Sequence, residues 1–143
     1  LRLEKKFLHW GHDITSENNP FESGLSFVVN FKKKENFIGR EALEKLKDKS
    51  LLNRLELFSL KNQFKQGKPL LLHDEPIFKN DKIVGYTTSS NYSFCYKKHI
   101  CLAYIKNEVK DNDRLFIEVE GRKYALNLEK HPIHDPRSIL IRS

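Results

Sequence analysis

Apolar residues near the start of the chain recur at helical spacing. Leu3, Phe7 and Trp10 lie three or four positions apart, which predicts a helix with these side chains on one face. Gly11 is expected to end the helix as a left-handed cap. No Ser, Thr, Asp or Asn precedes Leu1 as an N-terminal cap. We therefore expect that a preceding segment of the protein or its gene is missing from this sequence.

The next two patterns predict a strand and a second helix. In residues 25–31 (LSFVVNF), apolar side chains occupy every second position, as in a half-buried β-strand. Gly39 marks a turn, after which Ala42, Leu43 and Leu46 form the apolar stripe of a helix. Residues 1–50 are therefore expected to form a short helix–strand–helix segment.

From residue 51 onward the pattern changes to short strands separated by turn residues. Asn80–Asp81 is expected to turn a hairpin within residues 75–88, Gly85 to mark a bulge, and Glu120–Gly121 to join two strands. The strand segments are 54–60, 75–88, 100–105, 114–120 and 122–128. About six antiparallel strands without intervening helices favour a small closed barrel, which protects strand edges. We predict an α+β chain in two parts, 1–50 and a barrel domain at 51–143.

Composition limits the classes of possible function but does not select one of them. The chain has 143 residues and a net charge of +7, and its only short basic run is Lys32–Lys34. A dispersed positive field favours anionic partners, whether nucleic acid, phosphate or polycarboxylate, although a solvated surface without a specific role remains an alternative. Two cysteines without metal spacing indicate a reducing compartment, and we expect a cytoplasmic location. No apolar run suits a membrane span, and no signal peptide is visible.

Most catalytic and metal motifs are missing. The pairs His9/His12 and His131/His134 have a three-residue spacing, but Gly11 and Pro132 interrupt any helix that would aim both rings at one metal ion. We interpret these histidines as surface or capping residues. No glycine-rich phosphate loop and no nucleophilic serine elbow is present.

Glu4 is the residue most suggestive of binding. It lies at the border of the Leu3–Phe7–Trp10 face, where a carboxylate is costly to desolvate unless donors reach it. One such donor is the planar N–H pair of a heterocycle, with Trp10 offering a flat surface nearby. The alternative is a rim glutamate paired with a neighbouring lysine or with solvent, and spacing alone leaves both open.

Five segments in register resemble the carboxyl-terminal part of the glycine cleavage T-protein (aminomethyltransferase) family. The initial LRLEK and the His-Trp pair are most similar to the tails of dimethylglycine and sarcosine dehydrogenases. The segments are LRLEKKFLHWGHDITSENNPFESGLSFVV, ENFIGREALEKLK, EPIFKNDKIVGYTTSSNYSF, HICLAYI and HPIHDP.

The resemblance implies transfer of a one-carbon unit from an amine to tetrahydrofolate in a three-part cloverleaf. It implies that Glu4 grips the pterin, that Trp10 lines the same cavity, and that Lys33 replaces an arginine that contacts folate. A flexible ammonium is a less oriented partner than a guanidinium. The catalytic aspartate of the family belongs to an amino-terminal part that this sequence lacks. A flavin is implied only if the parent has a separate domain, and no metal is implied.

We therefore expect the carboxyl-terminal portion of a folate-dependent aminomethyltransferase, inactive alone. Its expected partners are polyglutamyl folate and an amino-terminal segment or separate chain, not a membrane. The alternatives are a basic barrel that binds RNA or tRNA and a purely structural subunit. Nucleic-acid binding is disfavoured because aromatic and basic residues do not interleave into a stacking platform.

Overall fold

Six antiparallel strands close into a barrel in the computed structural model, which describes residues 1–142. Around the barrel the order is β1-β4-β3-β2-β5-β6, and β6 pairs back with β1. This confirms the barrel expected from the sequence. The strands are β1 (Asn53–Leu60), β2 (Pro76–Lys79), β3 (Lys82–Ser93), β4 (Lys98–Lys106), β5 (Leu115–Val119) and β6 (Arg122–Glu129).

Two tight turns form where the sequence indicates them. Asn80 joins β2 to β3 with a positive φ of 54°, a conformation that asparagine tolerates better than most residues. Glu120 and Gly121 join β5 to β6 with φ values of 50° and 71°. These turns bring adjacent strands together without an intervening helix, as the hairpin predictions require.

Gly85 lies in a bulge of β3 and touches the backbone of β4. Ile77 of β2 pairs with Gly85 while Phe78 pairs with Ile83, which leaves one extra residue on β3. A Cβ atom at position 85 would lie 2.2 Å from the carbonyl oxygen of Tyr104. Glycine is therefore required here by close backbone approach, not by an unusual φ angle.

Strand β4 is buried on both faces, which explains its nearly continuous apolar sequence, and β1 is buried on both faces from Leu57 to Leu60. Phe58 and Ile105 face the barrel interior, the larger of two apolar clusters. Leu57 and Leu102 face outward and pack with Leu3 from the start of the chain. The outer cluster attaches the N-terminal segment to the barrel.

The prediction of a helix that extends from Leu3 to Trp10 is wrong. Only Leu3–Lys5 form a 3₁₀ turn, and Lys6 follows with a left-handed φ of 54°. Leu3 is buried, whereas Phe7 and Trp10 are 49% and 68% exposed, so the three side chains share no buried face. Of the predicted face, only Leu3 enters the outer cluster, and Leu8, which is not on that face, packs partly against it.

The predicted strand at 25–31 is also wrong. Ser26–Val28 form a 3₁₀ turn whose Phe27 and Val28 side chains are 80% and 62% exposed. A strand needs a pairing edge, and closure of the barrel leaves none among the six strands. The second helix is confirmed as α1 (Arg40–Lys47).

The C-terminal segment crosses the N-terminal turn. The backbone N–H of His134 donates to the carbonyl oxygen of Glu4 at 2.9 Å. The Lys5 ammonium and Asp135 carboxylate form an ion pair with both side chains buried. Asp135 also accepts hydrogen bonds from the backbone at the start of α2 (Ile139–Arg142). In residues 1–142, no helix has the length and apolarity to cross a membrane.

Candidate functional site

The Glu4 side chain lies between the N-terminal turn and the end of β3. Packing of Leu3 on the outer cluster fixes the turn and leaves Glu4 only 5% exposed. Ser93 Oγ donates to Glu4 Oε1 at 2.6 Å, and the backbone N–H of Cys95 approaches the same oxygen at 3.4 Å. One carboxylate oxygen is therefore anchored to the barrel.

Glu4 remains ionised in this position. Burial by itself raises the pKa of the carboxyl group, but hydrogen bonds from Ser93 and Cys95 outweigh burial and leave the pKa below its ordinary value of 4.5. A buried carboxylate at neutral pH is a strong acceptor for charge-assisted hydrogen bonds.

The close hydrogen bonds of the carboxylate both reach Oε1, not Oε2. Oε2 lies 3.7 Å from the backbone nitrogen of Leu1, and the Cys95 thiol also interacts with the carboxylate. Oε1 is therefore the more firmly held oxygen of the two.

An ionic network around the buried Asp13 carboxylate supports the turn that carries Glu4. The Arg2 guanidinium donates to Asp13 Oδ2 at 2.7 Å and to Ser89 Oγ at 2.8 Å. Asp13 is fully buried and also accepts hydrogen bonds from Thr88 Oγ1 and the backbone N–H of His9. Burial raises the pKa of Asp13, but these donors and the Arg2 charge leave it below its ordinary value.

Sequence reasoning missed the role of Asp13. Its partners Arg2 and Thr88 lie 11 and 75 positions away in the sequence, and no local sequence pattern predicts a network between such distant residues. In the sequence, the Gly11-His12-Asp13 stretch indicates only the end of a predicted helix. The network ties the loop after Trp10 to β3, so it positions the segment around Glu4.

Trp10 and Lys33 lie on the surface. Trp10 pairs through its backbone with Ile14 and exposes most of its indole. The Lys33 ammonium is 4.0 Å from the Glu35 carboxylate, and its side chain is 54% exposed. No hydrogen bond, ion pair or ring contact joins Glu4, Trp10 and Lys33 to one another within residues 1–142.

The histidine pairs form no metal centre in the described part of the chain. The rings of His9 and His12 stack with centroids 4.8 Å apart. Nowhere in residues 1–142 do three or more His, Cys, Asp or Glu side chains come close enough to hold a metal ion. His99 was not singled out from sequence; it is buried against Tyr92, and burial lowers its pKa.

Comparison with known proteins identifies the barrel. Residues 56–135 match the family described as the glycine cleavage T-protein C-terminal barrel domain. Mitochondrial dimethylglycine dehydrogenase of Homo sapiens is 33% identical over 134 residues, which cover 93% of this chain and 15% of that protein. Aminomethyltransferase of Thermotoga neapolitana is 38% identical over 135 residues, covering 93% of this chain and 34% of the relative.

A solved structure has the same fold. The glycine cleavage system aminomethyltransferase T from Bartonella henselae aligns with a TM-score of 0.81 at 21% identity, over 95% of this chain and 37% of that chain. The chain thus spans between about one seventh and two fifths of these relatives. The profile match, the sequence relatives and the closed barrel agree, and the chain belongs to the glycine cleavage T-protein family.

Proposed function

We propose that this chain is the carboxyl-terminal portion of a tetrahydrofolate-dependent aminomethyltransferase-like protein. In the intact protein a one-carbon unit passes from an amine to tetrahydrofolate. Residues 1–50 are the end of the central domain, and residues 51–143 are the barrel domain. The observation that carries the proposal is the buried, ionised Glu4 carboxylate, anchored through one oxygen.

The chemistry of Glu4 fits a pterin ring. A pterin presents neighbouring planar N–H donors, which a carboxylate accepts with two nearly parallel bonds. The close protein hydrogen bonds of the carboxylate end at Oε1, so the acceptor capacity of Oε2 is assigned to the ligand. Burial of the acid strengthens its bonds to a ligand because fewer waters compete. Glu4 therefore orients the folate ring, while the folate itself carries the transferred carbon.

Trp10 and Lys33 have supporting roles in this proposal. The exposed indole of Trp10 supplies an apolar wall to the cavity once the rest of the protein covers it. The Lys33 ammonium is exposed and only weakly paired, so it attracts the carboxylates of the folate tail by screened electrostatics. Both roles require the assembled cavity.

The partner of this surface is the amino-terminal part of the same enzyme, whether fused or separate. Large apolar side chains are exposed in the part of the chain that precedes the barrel, among them Trp10, Phe27, Val28, Ile38 and Leu52. We assign these side chains to the contact with the amino-terminal part, since contiguous exposed apolar surface marks association with other protein. That part carries the aspartate that handles the amine in the family, so residues 1–143 alone bind folate weakly and catalyse no transfer.

The test uses the protein completed with its amino-terminal part. Calorimetric titration with 5-formyltetrahydrofolate compares Glu4→Gln with a control, Glu17→Gln, at an exposed glutamate. Loss of the charge-assisted bond should weaken binding by about 1.5–3 kcal/mol in Glu4→Gln and leave the control unchanged. An equal dissociation constant in both variants, or turnover by residues 1–143 alone, contradicts the proposal. Salt-sensitive RNA binding without folate binding would support the alternative of a nucleic-acid module.

A further inference from the structure

A cavity opens where two strands of the barrel diverge. β6 pairs with β5 as far as Ala125, opposite Phe116, and from Leu126 onward it pairs with β1 instead. β5 and the later half of β6 therefore separate, and a cavity of about 680 Å³ lies between them beside the loop that joins β4 to β5. The cavity has the size of small-molecule sites in proteins.

The floor of this cavity is the barrel core. Phe58, Ile105 and Leu126 line it, and all three belong to the large interior cluster. Leu128 packs against the same cluster from the side. Phe58 and Ile105 lie beneath the accessible surface, so a ligand that enters between β5 and β6 meets mainly the apolar side chains of Leu126 and Leu128 on β6.

The rim of the cavity is cationic. Five Lys or Arg side chains and two aspartates line it, an excess of three positive charges. The aspartates are already paired. Asp111 lies 3.5 Å from Arg54 and 3.2 Å from Lys130, and Asp113 lies 2.5 Å from Lys79 outside the cavity lining.

Two rim cations remain without a counter-ion. The side chains of Lys61 and Arg114 make no hydrogen bond or ion pair with the rest of the described chain, and both border the cavity, whereas the charge of Lys110 interacts with Asp113. An apolar floor below uncompensated positive charge complements a molecule with an apolar body and an anionic end. The rim gives a neutral molecule no electrostatic attraction, and it repels a cation.

We propose that the cavity between β5 and β6 binds a small amphipathic anion, a carboxylate with an aliphatic or aromatic body. The body lies on Leu126 and Leu128, and the carboxylate pairs with Lys61 and Arg114. The site is built from different residues than the Glu4 site, and it does not depend on the folate proposal.

The ligand series tests the charge requirement on residues 1–143. Calorimetric titration compares octanoate with 1-octanol and octyltrimethylammonium, which share the chain length but differ in charge. Octanoate should bind at least tenfold more tightly than either. 3-Phenylpropionate distinguishes an aromatic from an aliphatic body, and binding by either carboxylate supports the proposal. Equal affinity for octanol and octanoate overturns it, as does equal affinity for tetraglutamate, which has no apolar body.

Variants locate the site. Lys61→Glu with Arg114→Glu should weaken octanoate binding at least tenfold, whereas the control Lys45→Glu with Lys49→Glu makes the same charge change away from the cavity lining and should leave binding unchanged. Should a variant fail to fold, NMR of the unaltered protein decides the question. Octanoate should shift the methyl signals of Leu126 and Leu128, and unshifted signals overturn the proposal.

Discussion

Ser93 Oγ donates a 2.6 Å hydrogen bond to Glu4 Oε1 across 89 positions of the sequence. Ser93 is the last residue of β3, whereas Glu4 sits in a single 3₁₀ turn. A turn of three residues has little stability of its own. The position of the carboxylate is therefore set by the barrel, and the barrel acts as a scaffold for the candidate site.

Removal of the Ser93 hydroxyl should release Glu4. Ser93→Ala removes the shortest hydrogen bond to Glu4 and leaves the weaker donors of Cys95, its backbone N–H and its thiol, so the pKa of Glu4 should rise toward or above its ordinary value. The free energy of unfolding should fall by about 1–3 kcal/mol because a buried charged acceptor loses its donor. NMR titration of the Glu4 carboxyl and urea denaturation measure the two effects.

A matched control separates this effect from the loss of any hydroxyl. Ser16 is exposed, and Ser16→Ala should change stability by less than about 0.5 kcal/mol. An unshifted pKa of Glu4 in Ser93→Ala would show that this hydrogen bond does not hold the carboxylate in its ionised form.

Asp13→Asn should destabilise the protein more than any exposed Asp→Asn change. The amide cannot accept all the hydrogen bonds that Asp13 takes from Arg2, Thr88 and the His9 backbone, and the Arg2 charge loses its partner. Because Arg2 is partly exposed, water compensates some of this loss, and we expect about 2–3 kcal/mol by urea denaturation. Asp48→Asn, at an exposed position, is the control. Equal effects would contradict a structural role for the network.

Acid should destabilise the protein below about pH 4.5, the ordinary pKa of a glutamate. Four carboxyl groups have folded-state pKa values below their ordinary ones, so the unfolded state binds protons first as the pH falls. Their stabilisation is complete above the ordinary pKa and is lost as the pH falls through the folded values. These groups are Glu4, Asp13, Asp113 and Asp135. Glu75, whose pKa burial raises, opposes them as a single group.

His99 should add an earlier step to the same profile. Burial lowers its pKa from 6.5, so the unfolded state takes up this proton first and stability begins to fall below about pH 6.5. Urea denaturation at intervals from pH 8 to pH 3 should show a shallow decline followed by a steeper one. A profile that is flat from pH 7 to pH 5 would contradict the buried, neutral state of His99.

The two cysteines should differ in reactivity. Cys95 is exposed and Cys101 is buried, where burial raises the pKa of Cys101 to about 12. An aromatic disulfide reagent at pH 8 should therefore modify one thiol in the folded protein and two after unfolding. Desolvation and the neighbouring Glu4 carboxylate raise the pKa of Cys95, so Glu4→Gln should react faster than the unaltered protein. An equal rate would contradict a charged Glu4.

The barrel was predictable because its signals are local. Strand segments such as 100–105 carry unbroken apolar sequence, and the Asn80–Asp81 and Glu120–Gly121 turns need residues that accept positive φ angles. The segment 25–31 carries the same alternation and is not a strand, since alternation favours a strand only where an edge is free to pair.

The candidate site was only partly predictable. Glu4 could be singled out because a carboxylate at an apolar border needs donors, but nothing near it in the sequence identified Ser93 as the donor. The role of Asp13 could not be predicted, because its hydrogen bonds from Arg2 and Thr88 form only in the folded chain. Trp10 was expected from its place near Glu4 and from the family resemblance, and Lys33 from the resemblance alone; the roles of both remain predictions.

The contact between Gly85 and the Tyr104 carbonyl limits genetic variation at one codon. Every other amino acid places a carbon 2.2 Å from that oxygen and must force β3 away from β4. The restriction is independent of folate, amine or any other ligand. In a saturation library selected only for soluble, folded protein, position 85 should therefore retain glycine while its exposed neighbours Ile83 and Tyr86 diversify.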